Sequence, residues 1–235
     1  MKKFVVAFPL ECSAQQAPLF IEEKLKVKVS LSSKNSVIVP GCPIFFTPVI
    51  QGPFAGMDSL FAEHSPLSPV EAKAISNHGS IFFLQFLAKI PEEFEAFLDV
   101  AKTIVESGAL GVYVESSGCA WSAKTFLELI AGDVPMEAFL NFVETKDSLF
   151  TLGLEPFGVP DLCVLLASAD KDALRDLLTA AADSIYSEGI DFASGAKWMD
   201  DNGKTFEFRK ESKMPYAKGS PELNSLGYVH LISRS

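Results

Sequence analysis

Cys119 stands in the run Glu115-Ser116-Ser117-Gly118-Cys119-Ala120-Trp121-Ser122, which follows a predicted strand and precedes a predicted helix. At the positive end of a helix a thiol pKa falls, and a thiolate becomes available as a nucleophile. Such a nucleophile needs an imidazole as base and a carboxylate to orient it. The chain offers His78 or His230 for the first role, and Glu115, Asp161 or Glu155 for the second. Built on Cys119, His78 and Glu115, this constellation would make a cysteine-dependent hydrolase or transferase. The same residues also read as structure. Cys119 is then a small apolar filler beside Trp121, His78 a hydrogen-bonded residue ahead of a strand, and His230 a member of an alternating strand.

The stretch Thr151 to Cys163 (TLGLEPFGVPDLC) signals shape more than chemistry. Gly153 and Gly158 can take positive φ, while Pro156 and Pro160 fix φ and remove donors. The segment reads as a bent connection into a buried strand, and its only side chains able to act on a substrate are Glu155, Asp161 and Cys163. We expect Gly153, Pro156, Phe157, Gly158 and Asp161 to shape a surface turn or cleft wall. With Trp121, these residues are the candidate binding site.

Composition excludes several classes. Thirty acidic against 20 basic residues give a formal charge of −10, which repels a phosphate backbone, so nucleic acid is not the expected partner. The four cysteines, at 12, 42, 119 and 163, show no zinc spacing, and their scatter fits thiols in a reducing cytoplasm. No glycine-rich phosphate loop precedes a helix, and Asp200-Asp201-Asn202-Gly203 reads as a hairpin turn because a calcium loop would need a glutamate at its twelfth position. Neither metal nor cofactor is expected. Phe4 to Leu10 reads as a first strand: a seven-residue run broken by Pro9 and followed by Glu11 makes a poor secretory signal. No stretch of about eighteen apolar residues exists for a membrane span.

These residues must be held by a substantial core, for which 48% hydrophobic residues and 20 phenylalanines are ample. Leu25, Val27, Val29 and Leu31 alternate with polar residues as in a half-buried strand, Ile44 to Ile50 reads as an edge strand or an extended segment, and Gly52 to Met57 as a loop. A helix begins near Ser68 with Pro69 first. Ile81 to Ala88 is a strand, the helix after Pro91 carries Phe94, Phe97, Leu98, Ala101 and Ile104 on one face, and Leu110 to Val114 is the returning strand. Phe139 to Val143, Asp161 to Ala167, Phe206 to Phe208 and Tyr228 to Ile232 read as further strands. The helix Asp170 to Ser187 places Leu174, Leu177, Leu178, Ala181 and Ile185 on one stripe. The expectation is an α+β chain of mixed sheets with helices packed on one face, in two ferredoxin-like layers. It forms a single domain whose two sub-domains meet near residue 145.

Thr151-x-Gly153-Leu154-x-x-Phe157-Gly158-x-x-Asp161-Leu162, with His78 before a strand and Gly111-Val112-Tyr113 followed by Ser116 to Ser122, resembles the bacterial domain of unknown function 4261 family over about residues 75 to 200. The resemblance implies a cytosolic α+β domain without established activity, in a family associated with conflict, immunity or stress. The acidic position after Phe157-Gly158 is displaced here by Pro160, so its role does not transfer to Asp161. Together these readings favour a non-enzymatic domain that holds a protein partner or small ligand, with the Cys119 and His78 enzyme as the alternative.

Overall fold

A computed structural model describes residues 2–27, 36–166, 170–211, 216, 220 and 223–234. The chain is α+β and divides into two units, Lys3–Ala138 and Phe139–Ser235, the latter grouped with Lys2. The first unit runs β1 (Phe4–Leu10), α1 (Ala17–Leu25), β2 (Val37–Ile38), β3 (Phe45–Gln51), α2 (Met57–Ala62), α3 (Pro69–Ser76), β4 (Ser80–Phe86), α4 (Pro91–Glu106), β5 (Gly111–Val114), β6 (Cys119–Ser122) and α5 (Ala123–Ile130). Its sheet has the order β2-β3-β4-β1-β5-β6, and every pairing in it is antiparallel.

Within that order the core β1-α1-β3-β4-α4-β5, with β1 inserted between β4 and β5, is the ferredoxin-like split βαβ. The β4-α4-β5 crossover therefore joins strands that are not neighbours. Sequence periodicity shows why α4 forms. Pro91 occupies its first turn with Glu92 and Glu93, and the Lys89 N–H donates to Glu93 Oε2 at 2.6 Å. Its face buries Phe94, Phe97, Leu98, Ala101 and Ile104. Phe97 stacks on Phe86 at 4.1 Å between ring centroids, and Phe86 stacks on Phe4 at 4.9 Å. Each such pair adds about 1 kcal/mol beyond its buried area.

The opposite row of β1 and β4, Ala7 and Ile81, packs against Met57 and Phe61 of α2 and Ile75 of α3. Helices thus cover both faces of this sheet, where the sequence predicts one. In α3, Ser68 Oγ accepts from the Glu71 N–H and the Glu71 carboxylate accepts from the Ser68 N–H, a complete capping box. Leu25 ends α1 and does not open a strand; Val29 and Leu31 lie outside the described residues. Ile44 to Ile50 is not an edge either, since β2 pairs outside β3.

The second unit runs β7 (Asn141–Glu144), β8 (Ser148–Leu152), β9 (Asp161–Leu165), α6 (Lys171–Ser187), β10 (Lys197–Met199), β11 (Thr205–Lys210) and β12 (Tyr228–Arg234). Phe139 closes a short 3-10 turn ahead of β7, and Ala167 lies outside the described residues. Two three-stranded antiparallel meanders meet along a parallel seam between β9 and β12, giving the mixed order β10-β11-β12-β9-β8-β7. Among the described residues this unit has one α-helix, and its strand order is not the ferredoxin-like one. Asp170 caps α6 by accepting from the Asp172 N–H. The row Leu162, Val164, Phe206, Phe208, Val229 and Leu231 is buried on the α6 side.

Candidate functional site

The first unit holds Cys119, His78, Glu115 and Trp121 in positions that differ from the sequence reading. Gly111↔Ser122 to Val114↔Cys119 pair as a β-hairpin, so Cys119 lies on strand β6 and not at a helix N-terminus. Glu115 sits exposed in the hairpin turn. Cys119 is 1% exposed, and burial pushes its thiol up to about 12, only partly opposed by its hydrogen bond with Ser117. A thiol in that state is a poor nucleophile. Trp121 is half-buried and its Nε1–H donates to the Ala138 carbonyl at 2.7 Å, which makes it an anchor for the chain after α5.

His78 has both ring nitrogens engaged. Nδ1 lies 2.7 Å from the Ile75 carbonyl, and Nε2 accepts from the Phe54 N–H at 2.9 Å. Those partners fix the Nδ1–H tautomer and occupy the Nε2 lone pair. The next residue explains the rigidity: Gly79 packs so tightly that a Cβ there would lie 2.6 Å from the Glu11 carbonyl oxygen. Ser80 Oγ donates to the Cys12 carbonyl at 2.7 Å beside it.

In the second unit the connection from Thr151 to Asp161 is bent as its sequence requires, with φ of +106° at Gly153 and +75° at Gly158 around a 3-10 turn over Glu155–Phe157. It is not a surface turn. Gly153, Pro156, Phe157 and Asp161 are buried, with only Glu155 and Gly158 half-buried, and Phe157 packs edge-on between Phe139 and Tyr186. Asp161 is the keystone. Its Oδ1 accepts from the Leu154 N–H at 3.4 Å and from Thr151 Oγ1 at 3.5 Å, and Asn224 adds a side-chain hydrogen bond. Burial nevertheless dominates and raises its carboxyl to about 7, with nearby Glu155 adding to the rise. Glu155 accepts from Ser225 Oγ.

Asp161 belongs to a larger group that sequence reasoning does not assemble. The parallel seam aligns Tyr228 with Asp161 and His230 with Cys163, so alternation puts all four on the sheet face away from α6. Burial raises the Cys163 thiol, which is hydrogen-bonded to Tyr228 and Ser148, and burial also raises the Tyr228 phenol. Burial lowers His230, whose Nδ1 lies 3.7 Å from Glu211 Oε1. Its Nε2 is buried with no hydrogen-bond partner among the described residues. Tyr216 packs edge-on to Phe150 at 5.8 Å on the same face. Burial thus biases Cys163, Tyr228 and His230 toward their neutral forms and leaves Asp161 about half protonated at pH 7. Period-two alternation of Tyr228 and His230 is visible in the sequence, but which strand lies beside them is not.

Open concave surface lies elsewhere. In the first unit a cleft of about 390 Å³ is bordered by Lys3, Phe45, Gln85, Leu87 and Lys89, with Phe86 at its base. Phe45 is 63% exposed and its cross-strand partner Ile38 54%. A second cleft of about 410 Å³ runs beside Lys24, Cys42 and Asp99. In the second unit a cleft of about 360 Å³ lies between α6 and the sheet. Among the described residues no three metal-binding side chains converge, and no helix is long and apolar enough to cross a membrane. No family model, no curated protein and no solved structure matches the chain.

Proposed function

We propose that the protein is a non-enzymatic binding domain of the cytoplasm, which holds a protein partner at the cleft beside β2 and β3. The observation that carries this reading is the exposed Ile38–Phe45 pair at a sheet edge, flanked by Lys3 and Lys89. An edge strand with free main-chain groups accepts an added strand, and an exposed aromatic beside it supplies an apolar anchor. Neither lysine has a carboxylate partner among the described residues, while Glu93 is engaged by the Lys89 N–H. The partner segment is therefore extended and acidic, with an apolar side chain for Phe45. None of the four cysteines is in a disulfide, which supports the cytoplasmic reading. On the family resemblance alone, the partner belongs to bacterial conflict, immunity or stress responses.

The test replaces Phe45 with photo-reactive p-benzoylphenylalanine in the host cell, with exposed Leu19 replaced likewise as the control. A discrete crosslinked protein at position 45 and none at position 19 is expected; the same products from both positions would sink the proposal. The cysteine-enzyme alternative is separated by iodoacetamide. A Cys119 thiol at about 12 should react orders of magnitude more slowly at pH 8 than an ordinary thiol of about 8.5. Fast, selective labelling of Cys119 would favour the enzyme.

A further inference from the structure

The α6 stripe is not uniformly buried, and its departure from the expected pattern marks a second site. Leu178, Ala181 and Ile185 are buried, but Leu174 and Leu177, at the N-terminal end of the stripe, are only half-buried. The cleft of about 360 Å³ opens beside these partly exposed leucines. Its helix wall is Leu174 and Leu177, and its sheet wall is Val164, Phe206 and Leu231. His230 and Ile232 border it from strand β12, but alternation turns their side chains to the other face. A slot between helix and sheet, walled by leucines, Val164 and the Phe206 ring, takes a thin flexible chain better than a fused ring.

Polar groups meet only at its mouth, where Lys204 and Ser233 stand. The Lys204 ammonium lies 5.2 Å from the Phe206 ring centroid and has no carboxylate partner among the described residues, in a chain of net charge −10. Two acids of the neighbouring segments, Asp200 and Asp172, are engaged elsewhere. Asp200 Oδ1 accepts the N–H groups of Asn202 at 3.1 Å and Lys204 at 2.8 Å, and Asp172 pairs with Arg175 at 3.1 Å. One ammonium and one hydroxyl match a single negative charge and not the double charge of a phosphate. We propose that this cleft binds an unbranched medium-chain carboxylate, with its chain between α6 and the sheet and its carboxylate at Lys204.

The site is independent of the cleft at Phe45, and the test keeps the two apart. Calorimetric titration of the full chain with hexanoate, octanoate and decanoate, below their micellar concentrations, should show affinity rising about 4-fold for each added methylene. Lys204→Gln should weaken octanoate about 3-fold without changing 1-octanol, because only the carboxylate meets the ammonium. Leu177→Gln should weaken both, and Phe45→Ser neither. Absence of saturable binding would overturn the proposal, as would equal loss of octanoate and octanol in Lys204→Gln. Loss of binding in Phe45→Ser with retention in Lys204→Gln would also overturn it by placing the ligand in the first unit.

Discussion

His78 in the first unit and His230 in the second are each covered over about nine-tenths of their surface, yet they are held in opposite ways. His78 bridges the Phe54 N–H and the Ile75 carbonyl, so its ring is held on both nitrogens and its loss would orphan the Phe54 N–H. His230 approaches only Glu211, at 3.7 Å, and keeps Nε2 unpaired among the described residues. One imidazole is a brace between two main-chain groups, and the other stands among Asp161, Cys163 and Tyr228 with one nitrogen unpaired among the described residues. Equal burial thus teaches nothing about role; the hydrogen-bond inventory decides it.

The largest effect expected from this contrast is a pH dependence confined to the second unit's cluster. Asp161 titrates at about 7 when folded, against an ordinary value of 3.8. Between those values the unfolded chain has lost its proton and the folded one retains it, so stability falls as pH rises. Over the whole interval the loss amounts to about 4 kcal/mol. His230 acts with the opposite sign: burial depresses its folded value, so its contribution is lost as pH falls below the unfolded value of about 6.5. Urea denaturation between pH 4 and 8 should show the Asp161 decline, and Asp161→Asn, which mimics the protonated acid, should flatten it. A decline that persists in the variant would place its origin elsewhere.

The same substitution at the two histidines sharpens the comparison. His78→Leu leaves the Phe54 N–H without its partner, whereas the Ile75 carbonyl keeps the main-chain N–H of residue 78, so the cost is about 2 kcal/mol at the usual penalty for one orphaned group. His230→Leu removes an atom that is already unsatisfied, so the change should stay within about 1 kcal/mol and tend toward stabilisation. Denaturant midpoints of both variants measured at pH 7 provide the check. Equal losses at the two sites would show that Nε2 of His230 has a partner after all.

What is legible in the sequence follows from range. The capping box at Ser68, the α4 stripe, the turn at Asp200 and the buried helix α6 depend on residues within one or two turns of each other, and each is readable. Helix α1 escapes because Pro18 and the short run after it lack a strong apolar stripe, and β6 because Glu115 to Ser122 reads equally as a loop or as half of a hairpin. The site is harder for a different reason. Cys163 and His230 are 67 residues apart in the chain and become neighbours only through a parallel seam, which no local pattern specifies. The Thr151 to Asp161 stretch is bent as its residues predict, but glycine and proline report backbone direction and not exposure. Its burial comes from Phe139 and Tyr186, which close over Phe157.

The smallest effect expected separates two reasons for a glycine. At Gly79 in the first unit a side chain would meet backbone at 2.6 Å, so any substitution must move β4 against the Glu11–Cys12 segment. At Gly158 in the second unit a Cβ would find nothing within 4 Å, and only the φ of +75° disfavours other residues. Gly158→Ala should therefore cost about 1 kcal/mol, the left-handed penalty of roughly 1–2 kcal/mol less the entropy removed from the unfolded chain. Gly158→Asn should cost less, because asparagine tolerates that region. Gly79→Ala should exceed both. If Gly158→Ala proved as damaging as Gly79→Ala, the turn at Glu155–Phe157 would be packed against chain that the open space around Gly158 does not reveal. If it stabilised the protein, Gly158 would not be left-handed, and the bend that buries Asp161 would need another cause.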